Sequence, residues 1–142
     1  NNILWSVKPH PLHKTKRIRN YLDAIGATDV RIANQSLVEE ISDANVLITT
    51  GSSIAFDSIR LQRPVIIVSR NNGLSQNPFN LIGKHRAWVF CYTQNEVLNA
   101  INSYRADIKD NNLLIKELSW KIIEGYHSTM SSSKVREILH YN

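Results

Sequence analysis

Short runs of apolar and β-branched residues alternate with amphipathic segments along this chain, and this alternation constrains the fold more than any other feature. Five runs have strand length, at residues 3–7, 30–33, 46–50, 65–68 and 87–91. Segments between them place apolar residues three and four positions apart, which is the spacing of a helix with one buried face. We therefore predict an α/β fold, a Rossmann-like doubly wound parallel sheet of about five or six strands with C-terminal helices.

The fourth run and the helix signals refine this prediction. Val65 to Val68 is apolar at every position, as in a central parallel strand covered by helices on both faces. Ser36 with Glu39, and Thr93 with Glu96, have capping-box spacing and predict two helix starts. Further predicted features are a helix after residue 53 that Arg63-Pro64 ends, a long loop at residues 69–86, and helices at residues 112–126 and 133–141.

Length and composition predict a single globular domain over residues 1–142. The chain is 42% hydrophobic and 20% charged, an ordinary balance for a folded domain of this length. No stretch approaches the ~20 apolar residues of a membrane span, and no signal peptide is visible. Cys91 is the only cysteine and favours an intracellular location as a buried free thiol. Because the chain opens on Asn1 in a strand-like run, we expect a fragment that lacks a preceding part.

The charge balance narrows the class of ligand. Seventeen Lys and Arg against twelve Asp and Glu give a net charge of +5, which suits phosphate-bearing ligands, nucleic acid or an anionic membrane surface. Nucleic acid is disfavoured because Trp5, Trp88 and Trp120 fall on predicted core elements, whereas single-strand binders offer stacking platforms among basic residues.

The loop after the first run, Lys8-Pro9-His10-Pro11, is a candidate ligand site. Ligands of open parallel sheets bind outside the carboxyl ends of the strands, and two prolines stiffen this loop there. The following helix carries basic residues near its N-terminus, where the helix dipole disfavours each by ~0.3 to 1 kcal/mol. A bound anion would relieve that cost. The alternatives are a solvated basic face and a His10 that only caps a turn. The basic residues are Lys14, Lys16, Arg17 and Arg19.

The turn after the third run, Gly51-Ser52-Ser53, is a second candidate site. Glycine allows close approach of a ligand, and the N–H groups of the next helical turn and the serine hydroxyls supply donors for a phosphate. The alternative is that one serine is only an N-cap. Asp57, one turn later, suits sugar or ribose hydroxyls, or is a plain N-terminal helix charge. Neither loop has a P-loop or GxGxxG pattern, which argues against nucleotidases and dinucleotide enzymes of those types.

These motifs together resemble a known family. Lys8-Pro9-His10-Pro11, residues 41–57 and Arg63-Pro64-Val65-Ile66 are similar to the C-terminal half of GT-B transferases that build bacterial surface polymers. The likeness covers residues 3–68 and is strongest to CDP-glycerol glycerophosphotransferases and bacterial polysialyltransferases, with capsule Kdo transferases next. Thr50-Gly51 stands where the glycerophosphotransferases usually have an aspartate and an aromatic residue. The donor is therefore left open among CMP-, CDP- and UDP-linked compounds.

The resemblance implies a donor-binding half of a glycosyltransferase or glycerophosphotransferase. His10, Ser52 and Ser53 would contact the donor phosphates with Lys8 and Gly51, and Asp57 matches an acidic position after the serines. A protonated His10 would act as general acid to the leaving phosphate. No metal or other cofactor is expected, since no Cys or carboxylate cluster joins His10 and His13.

The expected partners and location follow from the same resemblance. The acceptor and the catalytic base would lie on a missing N-terminal GT-B half, so we expect this chain to bind donor without turning it over. We expect a location in the cytoplasm, or at the inner face of the cell membrane. The alternatives are a non-catalytic nucleotide or polyanion-binding module and a sugar-nucleotide 2-epimerase domain.

Overall fold

The computed structural model describes residues 3–70, 78–79 and 86–109. The chain divides into two compact units, of which the first ends at Asp43 and the second begins at Ala44. Within the described ranges, no helix is both long enough and apolar enough to cross a membrane. The predicted helices at 112–126 and 133–141 lie outside the described residues, as does Trp120.

The first unit is built from two short parallel strands and two helices. They are β1 (Ser6–Val7), α1 (Thr15–Ala24), β2 (Arg31–Ile32) and α2 (Leu37–Asp43). Ser6 pairs with Arg31 and Val7 with Ile32, in parallel. The Ala33 N–H donates to the Val7 carbonyl at 2.9 Å and extends this ladder. The β1–α1–β2 connection is thus the predicted strand–helix–strand unit.

Local signals in the sequence determine the end of α1 and the start of α2. Gly26 adopts a left-handed conformation with φ +73° and ends α1 as predicted. The Ala27 N–H then donates to the Leu22 carbonyl at 2.9 Å, the outer hydrogen bond of a Schellman motif. At the start of α2, the Ser36 N–H donates to Glu39 Oε2 at 2.8 Å, and the Glu39 N–H donates to Ser36 Oγ at 3.3 Å. The predicted capping box is confirmed.

The second unit contains a three-stranded parallel sheet. Its described elements are β3 (Leu47–Thr49), α3 (Ile54–Arg60), β4 (Val65–Val68), β5 (Trp88–Cys91) and α4 (Gln94–Lys109). The strand order is β3-β4-β5, with Leu47 and Trp88 on either side of Val65. The prediction that the 65–68 run is a central strand is confirmed, and its first three residues are fully buried. Thr93 and Glu96 form the second capping box, at 3.3 Å in each direction.

An aromatic cluster completes the core of the second unit. Phe79 is buried and stacks on Trp88, with ring centroids 4.3 Å apart. The Phe56 ring meets Phe79 edge-on at 4.9 Å. Most of the predicted loop at 69–86 lies outside the described residues, but Phe79 shows that part of this segment contributes to the core.

Three expectations are corrected. Trp5, predicted to lie on a core element, is 40% exposed and precedes β1, which begins at Ser6. The prediction of one sheet with five or six strands is wrong, since the described residues form a two-stranded and a three-stranded sheet. The reason is length: β1 and β2 have two residues each and pair with one another, so they supply little ladder. The helix α3 ends at Arg60, before Arg63-Pro64, because Gln62 turns the chain at φ +59°. The Arg63 N–H donates to the Ser58 carbonyl at 2.8 Å across this turn.

Candidate anion-binding site

A cavity of about 510 Å³ opens in the first unit beside the loop that follows β1. Its walls come from three segments that the strand–helix–strand unit brings together: residues 8–13, the first half of α1, and the end of β2. The sequence-predicted residues Lys8 and His10 both line it. Of the described residues that line this cavity, none is acidic. Those that are basic or carry an imidazole are Lys8, His10, His13, Lys16 and Arg19.

A tight turn holds His10 in the wall. The His13 N–H donates to the His10 carbonyl at 2.8 Å, and the Leu12 N–H donates to His10 Nδ1 at 3.3 Å. The two imidazole rings meet edge-on with centroids 6.1 Å apart. Because Nδ1 accepts a hydrogen bond, a neutral His10 carries its proton on Nε2, which leaves an N–H donor for a ligand. The turn-capping alternative is therefore observed, and it is compatible with ligand binding by the other nitrogen.

Lys8 is anchored through a chain of polar contacts that sequence reasoning missed. Its ammonium donates to the Gln35 carbonyl. The Gln35 N–H donates to Glu40 Oε1 at 3.2 Å, and both carboxylate oxygens of Glu40 accept from the Arg31 guanidinium. Glu40 is buried, and the hydrogen bond from Arg31 is the main cause that lowers the pKa of its carboxyl. An ionised Glu40 thus fixes the backbone at residue 35, to which the Lys8 side chain is tied.

The basic residues of α1 divide between two environments. Arg19 lines the cavity, is half-buried, and donates from Nη1 to the Val30 carbonyl at 3.3 Å. Lys16 lines the cavity as well, whereas Lys14 and Arg17 are exposed and do not line it. The first turn of α1 has no acidic residue, and no side chain caps it. Lys16 and Arg19 therefore line the cavity while Lys14 and Arg17 do not, and the choice between a bound anion and a solvated basic face stays a prediction.

The second predicted loop lies in the second unit. Gly51 has φ +100°, a backbone conformation that favours glycine. The Ile54 N–H lies 3.5 Å from Ser52 Oγ, a long capping contact, and Ser53 makes no side-chain cap. Ser52, Ser53 and Asp57 are exposed, with Asp57 in the first turn of α3. Capping therefore engages only one serine weakly, and the predicted roles of these four residues in donor binding stay predictions.

A second cavity, of about 430 Å³, lies between β5 and α4. Trp88, Cys91 and Tyr104 contribute to its wall together with polar residues such as Asn99 and Ser103. The prediction that Cys91 is a buried free thiol is confirmed. Burial raises the pKa of this thiol, and the charge of Glu96 raises it further.

Comparisons with known proteins do not identify a family for this chain. No protein-family model, curated protein or solved structure matches this chain. Within residues 3–70, 78–79 and 86–109, no group of three or more His, Cys, Asp or Glu side chains is arranged to hold a metal ion.

Proposed function

We propose that this chain is the donor-binding half of a GT-B glycosyltransferase or glycerophosphotransferase that uses a nucleotide-activated donor to build a bacterial surface polymer. The observation that carries the proposal is the basic cavity of the first unit, which is lined by Lys8 and His10. The resemblance over residues 3–68 supplies the reaction class. The parallel strand–helix–strand connections of both units support the Rossmann-like character that this proposal requires.

The size and the charge of the cavity support a phosphate-bearing ligand. At about 510 Å³ it lies within the ~300 to 1,000 Å³ of pockets for small molecules, and it exceeds what a lone phosphate fills. Its cations would form charge-assisted hydrogen bonds with phosphate oxygens, and these are about twice as strong as neutral ones. The ligand that fits best is therefore an organic phosphate such as a nucleotide.

The proposed chemistry is electrostatic. Lys8 would stabilise the negative charge that develops on the leaving nucleotide phosphate, and His10 would donate from Nε2 to the same group. The resemblance separately assigns Gly51, Ser52 and Ser53, which lie in the second unit, to phosphate binding, and Asp57 to a sugar or ribose hydroxyl. The acceptor and the catalytic base are assigned to a preceding half of the enzyme. No step in this scheme uses a metal or another cofactor.

Calorimetric titration of the 142-residue chain with CMP, CDP, UDP and GDP tests the proposal. One nucleotide is expected to bind, and Lys8→Ala is expected to weaken it by about tenfold, because a hydrogen bond to a charged group contributes about 1.5 kcal/mol or more. His10→Ala should weaken it as well, and the double variant Ser52→Ala/Ser53→Ala tests the assignment of the second-unit loop separately. Lys14→Ala removes an equal charge outside the cavity and is the matched control. Equal losses in Lys8→Ala and Lys14→Ala, or no nucleotide binding, would count against the proposal.

A membrane-surface role is a second candidate, which one observation favours. Leu12 is 86% exposed in the loop between the two histidines, next to the basic start of α1. An exposed apolar side chain among cations is typical of segments that bind anionic lipid surfaces. Sedimentation with phosphatidylglycerol vesicles, against phosphatidylcholine vesicles, tests this role. Leu12→Ser should reduce binding to the anionic vesicles. An unchanged bound fraction would exclude Leu12 from such a contact.

A further inference from the structure

The positions of four basic residues on α1 define two faces of the helix. Residues three apart in a helix lie on the same face, so Lys16 and Arg19 share one face of α1, whereas Lys14 is the extended N-cap and Arg17 lies on another face. Only the first pair lines the cavity. Both pairs carry the same charge near the N-terminal end of the same ten-residue helix, with Lys14 as its N-cap. The helix therefore presents two cations to the cavity and an equal charge elsewhere.

Arg19 is not a solvated surface side chain. It is half-buried, and its Nη1 donates to the Val30 carbonyl, the residue before β2. Within the described residues neither Arg19 nor Lys16 forms an ion pair with a carboxylate. Two like charges thus lie on one cavity wall, and none of the described residues in that wall is acidic.

Lys8, in the part of the wall that the loop after β1 forms, has different charged neighbours. Its ammonium donates to the Gln35 carbonyl, and the charges of Glu39 and Glu40 lie close enough to interact with it. Glu40 is already paired with Arg31. Lys8 is therefore partly compensated, whereas the positive charge of Lys16 and Arg19 is left for a ligand.

Two classes of nucleotide-linked donor differ in the negative charge that they would bring to the cavity. A donor linked through one phosphate carries a single negative charge at that linkage, and a donor linked through a diphosphate carries two on adjacent groups. Three cations on two parts of one wall match the second class, since each phosphate would find its own partners. One phosphate would leave the pair on α1 unpaired.

We propose that the cavity of the first unit binds a ligand with two adjacent phosphate groups, one held by Lys8 and His10 and the other by Lys16 and Arg19. The inference rests on the proposed function and deepens it, because it assigns a nucleoside-diphosphate-linked donor in place of a monophosphate-linked one. It also adds Lys16 and Arg19 to the binding residues.

Two double variants of the full chain test this assignment by calorimetric titration with phosphate, pyrophosphate, CMP and CDP. Lys16→Gln/Arg19→Gln removes the cavity pair, and Lys14→Gln/Arg17→Gln removes the same net charge from the other face. We expect the wild type and the control pair to bind CDP at least about tenfold more tightly than CMP, and pyrophosphate more tightly than phosphate. In Lys16→Gln/Arg19→Gln, the affinity ratios of CDP to CMP and of pyrophosphate to phosphate should both fall to about one.

Circular dichroism and thermal unfolding establish that each variant is folded. If Arg19→Gln prevents folding, the single variants Lys16→Gln and Lys14→Gln provide the same comparison. Equal binding of CMP and CDP by the wild type, or equal losses in the two pairs, would overturn the inference and leave the proposed function in place. Selective pyrophosphate binding with no detectable binding of either CMP or CDP would support the inference and overturn the proposed function. Absence of all binding would overturn both.

Discussion

The two units of this chain are stabilised by different means. In the second unit, β4 buries three consecutive apolar residues between two partner strands, and Phe79 and Trp88 close the core beside it. In the first unit, short strands and a few buried apolar side chains are accompanied by a capping box and the contacts that join Arg31, Glu40 and Gln35. Apolar packing thus dominates one unit, and oriented polar groups shape the wall of a cavity in the other.

Ile67→Ala is expected to have the largest effect, because Ile67 is fully buried in the central strand. Removing a large aliphatic side chain from a packed core costs about 2 to 5 kcal/mol of unfolding free energy. Urea unfolding followed by circular dichroism measures this loss. Val68→Ala, at the more exposed end of the same strand, should cost much less. Similar losses in both variants would contradict the view that this face of β4 organises the core.

Glu40→Ala is expected to weaken ligand binding although Glu40 does not line the cavity. Glu40 acts on the cavity through Gln35 and Lys8. We expect pyrophosphate affinity to fall by severalfold, and to fall no further when Glu40→Ala is added to Lys8→Met. Calorimetric titration of both single variants and the double variant gives this coupling. Additive losses in the double variant would mean that Glu40 does not position Lys8. Glu39→Gln, on the same helix, is the control.

Acid should destabilise the Glu40 contacts in a defined direction. The hydrogen bond from Arg31 lowers the pKa of Glu40 in the folded protein, so the stabilisation is fully present above the unfolded-state pKa of about 4.3. It is lost as the pH falls through the lower folded-state pKa. Urea unfolding measured from pH 6 down to pH 3 should show this decline, with a shallower slope in Glu40→Gln. If stability declines with the same slope in the wild type and in Glu40→Gln, Glu40 does not cause the decline.

Gln62→Gly is expected to have the smallest effect, and in the stabilising direction. Gln62 ends α3 with a left-handed backbone, a conformation that costs residues with a Cβ roughly 1 kcal/mol relative to glycine. Thermal unfolding should show a gain of at most about 1 kcal/mol. Gln62→Ala keeps the Cβ and should show no gain. A loss of stability in the glycine variant would indicate that the Gln62 side chain makes a contribution that exceeds the backbone cost.

Local patterns predicted the parts of this fold that local forces determine. The capping boxes at Ser36 and Thr93, the glycine at the end of α1, and the apolar strand at 65–68 were all readable from neighbouring residues. The contact of Glu40 with Arg31 was not, because it joins a helix to a strand nine residues away and depends on tertiary packing.

The candidate site was predictable to the same extent. The prolines around His10 drew attention to a loop that lines the cavity, but no pattern along the chain separates Lys16 from Arg17 as a cavity residue. That distinction depends on how α1 is rotated against β2. The sheet arrangement was mispredicted for a related reason: apolar runs indicate strands, whereas the number of strands in one sheet depends on ladder length.

The buried thiol of Cys91 has a practical consequence for the second unit. Because it is the only cysteine, and because burial both shields it and raises its pKa, a thiol-specific reagent can react appreciably only when β5 separates from its surroundings. Its modification rate in native buffer therefore reports how readily the structure around one identified strand opens. Modification of Cys91 with a chromophoric reagent would thus follow local opening around β5 without isotopes or introduced labels.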